Sequence, residues 1–326
     1  MLKIRFPSNY NQRAGVNRLL LKYGRGLTLK DKLSFSVLKI SYLGLWLTTH
    51  LIPREKKRKN KLYKIEFRDL MSKFVGPNNM IECEVPKYGY KSYCRTDNSF
   101  NDLVIMTKHE DDLLQLFCPT KEDIVVDIGA YLGRYTLTSS NLVGESGRVV
   151  AIEGDPSHYE ILKKNLKLNK VSNVTAINCM VGSKDMHLII GSEGNYLTVS
   201  SKNDMHTNYQ ENSYREFDET GRAQIDNTIV HLNTLDNLLI KEHGISEVNW
   251  MKIDVEGAEL EVLKSAHNIL SNSKRIKLLI EIHDVNKLYK PIVELLDSYN
   301  FKIIFEKDEQ RYRSGAKHII AKKIDR

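Results

Sequence analysis

Ionisable side chains follow two apolar runs of this sequence, at the points where two predicted strands end. Asp254 closes the run NWMKID and Glu256 comes just after it, while Glu281 and His283 lie two residues apart in IKLLIEIH. Residues two apart on a strand point to the same face, and the carboxyl ends of parallel strands meet at one edge of a sheet. We therefore expect these groups to converge. The predicted catalytic residues are Asp254, Glu281 and His283, with His283 as a base and Asp254 orienting it or holding a hydroxyl.

A second set of residues, earlier in the chain, has the types and spacing of a nucleoside-binding site. In DIGAYLG, Gly129 allows a tight turn and Gly133 allows a helix start to approach a ligand with its N–H groups. The carboxylate of Asp127 argues against a pyrophosphate and suits an amino-acid-like ligand. Glu153 ends the next predicted strand, where an acid can accept hydrogen bonds from both hydroxyls of a ribose. A ribonucleoside with an amino-acid portion near Asp127 describes S-adenosylmethionine.

Five apolar runs alternate with helical segments and so predict the scaffold that positions both sets. They are IVVDI, RVVAIE, VTAINCMV, NWMKID and IKLLIEIH. Continuous apolar runs of this kind are typical of parallel strands buried on both faces, and their alternation with helices predicts a doubly wound α/β sheet. After a helix near 285–298, strands at 301–307 and 318–323 are joined by a polar loop and predict an antiparallel edge strand.

The length and composition are those of a soluble globular protein. The chain has 326 residues, of which 41% are apolar and 28% charged. Its four cysteines show neither a disulfide framework nor zinc-ligand spacing. The first residues lack the apolar run of a secretory signal, so we expect a reducing, cytoplasmic setting with peripheral attachment to a membrane as an alternative.

The sequence divides into three zones: residues 1–75, basic and predicted to be helical; residues 76–120, predicted to form a hairpin around Gly89 and a helix; and the methyl-donor-binding domain, residues 121–326. The first 64 residues hold 16 Lys and Arg against two acids. Residues 33–52 are predicted to be a helix packed on the core, an interfacial helix or a membrane span, in that order. With the basic run after them, residues 33–61 could bind an anionic membrane surface.

Several stretches of the sequence resemble the FkbM family of S-adenosylmethionine-dependent methyltransferases, usually O-methyltransferases. They are DIGAYLGRYTL, AIEGDP, NLKLNKVSNV, MKIDVEGAELEVLKSA and LLIEIH, and the resemblance covers roughly residues 80–323. Tyr131 departs from the family's usual Asn. The resemblance implies a class I methyltransferase fold with a mostly parallel seven-stranded sheet and a reversed seventh strand.

The same resemblance implies roles for particular residues. Asp127, Gly129, Gly133 and Glu153 would contact S-adenosylmethionine, adenine would lie near residues 179–181 and so near Val181, and Asp254 would face the transferred methyl group. The expected reaction is O-methylation of a sugar, glycolipid or small metabolite. The alternatives are an RNA methyltransferase docked by the basic N-terminus and a non-catalytic, membrane-peripheral nucleoside-binding module. Nucleic acid is disfavoured, because DVEG stands where base-amino methyltransferases carry an N/D-P-P-Y stretch and the basic zone lacks interleaved aromatic residues.

Other roles remain open for the acidic residues of MKIDVEGAELEVL. Asp254 could cap the following helix, and Glu256 is expected to shape the turn or orient substrate rather than to catalyse. Carboxylates at 254, 256 and 281 could also bind Mg²⁺, which we rank below His283 as a base, so no metal site is predicted. Glu259 and Glu261 are expected to face solvent.

Overall fold

The computed structural model describes most of the chain beyond the basic N-terminal zone. The described residues are 24–25, 36, 40, 80–95, 101–183, 186–193, 196–201, 207–208, 228–309 and 316–324. The predicted helical character of residues 1–75 and the three interpretations of residues 33–52 lie almost wholly outside these ranges. The chain forms two compact units, residues 1–116 with 164–170 and residues 117–163 with 171–326.

The described part of the first unit contains a three-stranded antiparallel sheet followed by two short helices. These elements are β1 (Gly24–Arg25), β2 (Met80–Val85), β3 (Tyr90–Arg95), α1 (Asn101–Thr107) and α2 (Asp111–Leu116). The predicted hairpin around Gly89 is confirmed: β2 and β3 pair from Met80 with Arg95 to Val85 with Tyr90. Gly89 has a φ of 71°, which glycine adopts without steric cost in a tight turn.

The second unit is built from alternating strands and helices followed by a hairpin. In chain order the elements are β4 (Ile124–Ile128), α3 (Arg134–Val143), β5 (Arg148–Glu153), α4 (Pro156–Leu168), β6 (Val174–Asn178), β7 (Met180–Val181), β8 (Met186–Glu193), β9 (Tyr196–Ser201), β10 (Thr207–Asn208), β11 (Thr228–Asn233), a π-helical segment (Asn237–Glu242), β12 (Trp250–Ile253), α5 (Glu259–Lys264), α6 (His267–Asn272), β13 (Lys277–His283), α7 (Val285–Ser298), β14 (Phe301–Glu309) and β15 (Ala316–Lys323). The last residues of α4 belong to the first unit.

Seven of these strands form the central sheet, in the order β14-β15-β13-β12-β4-β5-β6. The pairs β13-β12, β12-β4, β4-β5 and β5-β6 are parallel, and β15 is antiparallel to both of its neighbours. This arrangement confirms the predicted class I methyltransferase fold. The antiparallel strand lies one place inside the edge, because β14 pairs along its outer side.

The order of the strands brings the predicted site residues to one edge of the sheet. β4 and β12 are adjacent, and all four residues of β12 are buried. The strands β4, β5, β12 and β13 are parallel, so their carboxyl ends meet at the same edge. Asp127, Glu153, Asp254 and His283 all lie at or near that edge.

A second sheet fills the segment between β6 and β12. Its order is β10-β9-β8-β11-β7, with β11 parallel to β7 and antiparallel to β8. A single residue, Cys179, separates β6 from β7, so the chain passes directly from the central sheet into the second one.

None of the described helices combines the length and the apolar character that crossing a membrane requires.

Candidate active site

Asp127, the residue before the last in β4, is a buried carboxylate with one hydrogen-bonding oxygen in use. Its side chain is 1% exposed, and Thr136 of α3 donates a 2.6 Å hydrogen bond to Oδ2. Oδ1 is also buried and has no hydrogen-bond partner among the described residues. Burial raises the pKa of Asp127, while Lys252 and Thr136 act in the opposite direction. A buried acceptor oxygen of this kind fits the ammonium group of an amino-acid ligand.

The glycine loop after Asp127 is in backbone contact with the turn after β12. Gly129 has a φ of 78°, and a Cβ atom built on it would lie 1.7 Å from the carbonyl oxygen of Asp254. The N–H of Asp254 donates to the carbonyl of Ile128 at 3.1 Å. Gly133 has a φ of 95°, and a Cβ there would lie 2.6 Å from Cδ1 of Leu162. The backbone conformation at both positions therefore requires glycine. The close approach of Gly129 to Asp254 brings the two predicted sets of site residues into contact.

Glu153 ends β5 with its carboxylate oriented by two backbone donors. Tyr131 N–H donates to Oε2 at 2.7 Å and Asp155 N–H donates to Oε1 at 2.9 Å. The ring of Tyr131, at the position where the sequence departs from the family pattern, packs edge-on against His158 at 4.4 Å between centroids. A carboxylate has more lone pairs than these two bonds use, so Glu153 can still accept from a ribose.

The residues near the predicted adenine position follow Glu153 across the sheet. Cys179 N–H donates to the carbonyl of Glu153 at 3.2 Å. Val181 is 7% exposed and pairs with Asn233 in the second sheet. The structure therefore places residue 179 beside Glu153 and Val181 at the start of the second sheet.

Asp254 is held by a buried lysine from its own strand. Lys252 is 5% exposed, and its ammonium lies 2.8 Å from Oδ2 of Asp254 and 4.8 Å from the ring centroid of Tyr135. The sequence analysis did not single out Lys252. Its position two residues before Asp254 on a strand, and hence on the same face, was the available signal.

His283 stands at the centre of a cluster of carboxylates. Its Nε2 atom lies 3.3 Å from Oε2 of Glu256, 3.6 Å from Oε1 of Glu281 and 4.0 Å from Oδ1 of Asp254. Its Nδ1 atom lies 2.8 Å from Oε1 of Glu259. The structure thus brings together Asp254, Glu281 and His283, the three predicted catalytic residues.

The expectation that Glu259 faces solvent is wrong. Its side chain is completely buried, and Oε1 accepts hydrogen bonds from Gly257 N–H at 2.8 Å and from His283. The reason is helical periodicity: Glu259 is three and four residues before Val262 and Leu263, which are also fully buried, so all three lie on the inward face of α5. That spacing was visible in the sequence. Glu261 is paired with Lys264 at 2.7 Å and is 35% exposed.

Glu281 has a second histidine partner. Its Oε2 atom lies 3.3 Å from Nε2 of His318 on the antiparallel strand β15, and the side chains are 7% and 2% exposed. The two residues are direct neighbours in the register of β13 and β15. This contact ties the carboxylate cluster to the C-terminal hairpin.

The charges of the cluster change the protonation of His283 and Glu256. Burial lowers the pKa of His283, but the hydrogen bond to Glu259 and the charges of Asp254, Glu256 and Glu259 overcome this and raise the pKa to about 10. Desolvation and the neighbouring carboxylates raise the pKa of Glu256 to about 7, although the His283 charge acts against them. An imidazole that holds its proton at neutral pH cannot accept another, so the raised pKa disfavours the predicted role of His283 as the base.

The same cluster has side chains of the types that bind a divalent metal ion. Asp254, Glu281 and His283 each offer one ligand atom, and the three atoms lie within 4.8 Å of one another. However, a cation there would have to displace the proton of His283 and sit beside the Lys252 ammonium, 2.8 Å from Asp254. These residues do not fit a metal, and we assign none.

Comparisons with known proteins agree with this geometry. A model of the methyltransferase FkbM domain matches residues 127–303, more than half of the chain. The methyltransferase sdnD of Sordaria araneosa is 26% identical over 242 residues, covering 69% of this chain and 90% of that protein. The 31-O-demethyl-FK506 methyltransferase FkbM of Streptomyces tacrolimicus is 26% identical over 205 residues, covering 57% of this chain and 75% of that protein.

A solved structure is also similar. The crystal structure of methyltransferase FkbM from Methylobacillus flagellatus KT aligns with a TM-score of 0.42 and 18% identity, covering 65% of this chain and 46% of that chain.

Proposed function

The chain belongs to the FkbM family of S-adenosylmethionine-dependent methyltransferases, and from this premise we propose that it methylates a hydroxyl group of a sugar, a glycolipid or another small metabolite. The observation that carries the proposal is the backbone contact between Gly129 and Asp254, because it sets the carboxylate cluster directly beside the glycine loop that is proposed to bind the cofactor. A relative whose name states transfer to an oxygen, the 31-O-demethyl-FK506 methyltransferase, supports a hydroxyl as the acceptor.

The residues at the ends of β4 and β5 are proposed to hold the cofactor. Oδ1 of Asp127 would accept from the ammonium of S-adenosylmethionine, and Glu153 would accept from its ribose hydroxyls. Gly129 and Gly133 would leave room for its close approach, and Val181 would lie near its adenine. When bound, the cofactor supplies an electrophilic methyl group on a sulfonium.

The residues at the ends of β12 and β13 are proposed to hold the acceptor. In-line displacement needs mainly correct positioning and the removal of one proton. Asp254, anchored by Lys252, would line the acceptor site and orient the acceptor. The protonated His283 would orient the carboxylates around it, and Glu281, held between His283 and His318, would fix that ring in place.

Two measurements test this proposal. Calorimetry should show binding of S-adenosylmethionine and S-adenosylhomocysteine, and failure of both to bind a folded protein would refute the cofactor site. Transfer of labelled methyl groups to separate lipid, glycan, small-metabolite and RNA fractions should then label one of the first three. Label confined to RNA would contradict the proposed acceptor class.

We also propose that residues 33–61 bind an anionic membrane surface. The support is the charge of the run REKKRKNK, which begins at Arg54 and follows an apolar stretch. The full chain should sediment with vesicles that contain anionic lipid and not with neutral ones. A chain in which the basic residues 54–61 are replaced by Gln or Ser should lose this difference, and unchanged sedimentation would contradict the proposal.

A further inference from the structure

Glu256 occupies an unusual backbone position at the turn between β12 and α5. Its φ is 55°, and the φ of Gly257, which follows it, is 110°. The left-handed region is strained for a residue other than glycine, so the surrounding structure must hold it there. The hydrogen bond from Gly257 N–H to Glu259 does so from the helix side, and the contact of Asp254 with Gly129 does so from the strand side.

Glu256 is also the most accessible of the four carboxylates that surround His283. The exposed fractions of the side chains are zero for Glu259, 7% for Glu281, 24% for Asp254 and 58% for Glu256. One oxygen of Asp254 is already taken by the Lys252 ammonium. A substrate entering from solvent can therefore reach the carboxylate of Glu256, whereas Glu259 and Glu281 are closed to it.

The ring of His283 holds Glu256 in one place. Nε2 lies 3.3 Å from Oε2 of Glu256, and the opposite ring nitrogen is fixed by the fully buried Glu259. Glu259 also accepts from the backbone of Gly257, so a single carboxylate positions both the ring and the turn. The second oxygen of Glu256 remains available to an acceptor.

From this geometry we infer that Glu256 accepts the proton of the acceptor hydroxyl, and that the Glu259–His283 pair positions it. The inference rests on the proposed function. In the reaction the hydroxyl oxygen forms a bond to the methyl carbon and the sulfur–methyl bond breaks, with its electron pair going to sulfur. The hydroxyl proton passes to the Glu256 carboxylate and from there to water. His283 keeps its proton throughout.

The charges around Glu256 suit this role. It faces Asp254, Glu259 and Glu281, which raise its pKa, and His283, which lowers it, and desolvation brings the pKa to about 7. Because much of the side chain is exposed, water weakens these interactions, but the direction is upward. A base works best when its pKa lies near the working pH.

The test compares Glu256→Gln with a matched control, Glu261→Gln, which removes a carboxylate from α5 that is bonded to Lys264. The readout is labelled methyl transfer from S-adenosylmethionine to the lipid, glycan and small-metabolite fractions, over a series of pH values. Glu256→Gln should lose about 100-fold or more in turnover, as expected for removal of a general base. It should bind S-adenosylmethionine as the wild type does and lose the rise in rate around neutral pH.

The outcomes separate this inference from the proposed function. If the wild type transfers label and Glu256→Gln transfers it equally well with an unchanged pH profile, the inference is overturned and the proposed function stands. If the wild type transfers no label to any fraction, both are overturned. Partial recovery of Glu256→Ala by added formate, with no such effect on Glu261→Ala, would support proton transfer over a purely structural role.

Discussion

The carboxylates at the ends of β4 and β5 are held differently from those at the ends of β12 and β13. Asp127 and Glu153 are oriented by neutral donors from a single stretch of the chain: the hydroxyl of Thr136 and the backbone N–H groups of Tyr131 and Asp155. On the other side, Glu281 and Glu259 are oriented by the histidines of two different strands, His283 and His318. The first region is therefore built from one strand–helix–strand stretch, and the second from ionisable side chains of several elements.

This difference has a consequence for what each region can do. The hydroxyl and N–H donors hold the carboxylates of Asp127 and Glu153 in place once β4, β5 and the loops after them have formed. The acceptor side depends on charges shared among five or more side chains, so a change in one alters the protonation of the others. A binding site for a constant ligand needs the first kind of construction. A site that moves a proton needs the second.

The largest effect is expected where the two regions touch. In Gly129→Ala the new Cβ would fall 1.7 Å from the Asp254 carbonyl oxygen, on a backbone with a φ of 78°. We expect a loss of more than about 4 kcal/mol in the free energy of unfolding and no measurable binding of S-adenosylmethionine. The control is Gly244→Ala, which has a φ of 66° but no heavy atom within 4 Å of the new Cβ.

Urea denaturation measures both variants. Gly244→Ala carries only the backbone strain and should lose about 1–2 kcal/mol. Equal losses for the two glycines would mean that the contact with Asp254 contributes nothing and that the two regions are not joined there.

The second prediction concerns Glu259 and Glu261 of α5, both of which the sequence predicted to face solvent. Glu259→Ala removes a fully buried partner of His283 and should cost about 3 kcal/mol in unfolding free energy, because it leaves the buried imidazolium without its nearest counter-charge. Glu261→Ala removes a partly exposed partner of Lys264 and should cost less than about 1 kcal/mol. Urea midpoints of the two variants, measured side by side, would contradict this assignment if they were the same.

The third prediction divides the two regions by function. Glu153→Ala should weaken binding of S-adenosylmethionine by about 10- to 100-fold, the loss expected for charged hydrogen bonds, with a smaller effect on turnover at saturating cofactor. Asp254→Asn should leave the affinity for S-adenosylmethionine unchanged and lower turnover by about 100-fold, because a misplaced acceptor reacts more slowly. Calorimetry and single-turnover methyl transfer give the two quantities separately. If both variants lost cofactor affinity and turnover to the same extent, the two regions would not have separate roles in cofactor binding and methyl transfer.

The first region comes from one stretch of the chain, residues 124–155, and this explains why the sequence predicted so much of it. The strand IVVDI, the loop from Asp127 to Gly133 and Glu153 form a short stretch in which apolar runs, glycines and acids follow one another directly. The mostly parallel sheet and the C-terminal hairpin also followed from apolar runs and the family resemblance. These features need only local patterns and the rules for joining strands and helices.

The acceptor side was predicted less completely because its partners come from separate elements. Asp254, Glu281 and His283 were placed together correctly from their positions at strand ends. The burial of Glu259, the Lys252 pair and the His318 contact depend on which helix face turns inward and on the register of β13 with β15. The protonation of His283 depends on all of these contacts together, and so it could not be predicted from the sequence.

The smallest expected effect, counted per pH unit, is a slope of stability against pH that arises from His283 on the acceptor side. The pKa of His283 rises from 6.5 in the unfolded chain to about 10 in the folded one, so the folded protein binds its proton more tightly. The resulting stability is fully present below pH 6.5 and is lost as the pH rises through about 10, with a slope of up to about 1.4 kcal/mol per pH unit. The raised pKa of Glu256 acts in the same direction, but its contribution is lost by about pH 7.

Between about pH 7 and about pH 10, urea midpoints of the wild type should therefore fall more steeply than those of His283→Gln, with the shared titration of Lys and Tyr cancelling in the difference. An NMR titration of the His283 ring in the wild type gives the same pKa without a variant, and a midpoint near the ordinary histidine value would show that the surrounding carboxylates do not hold its proton.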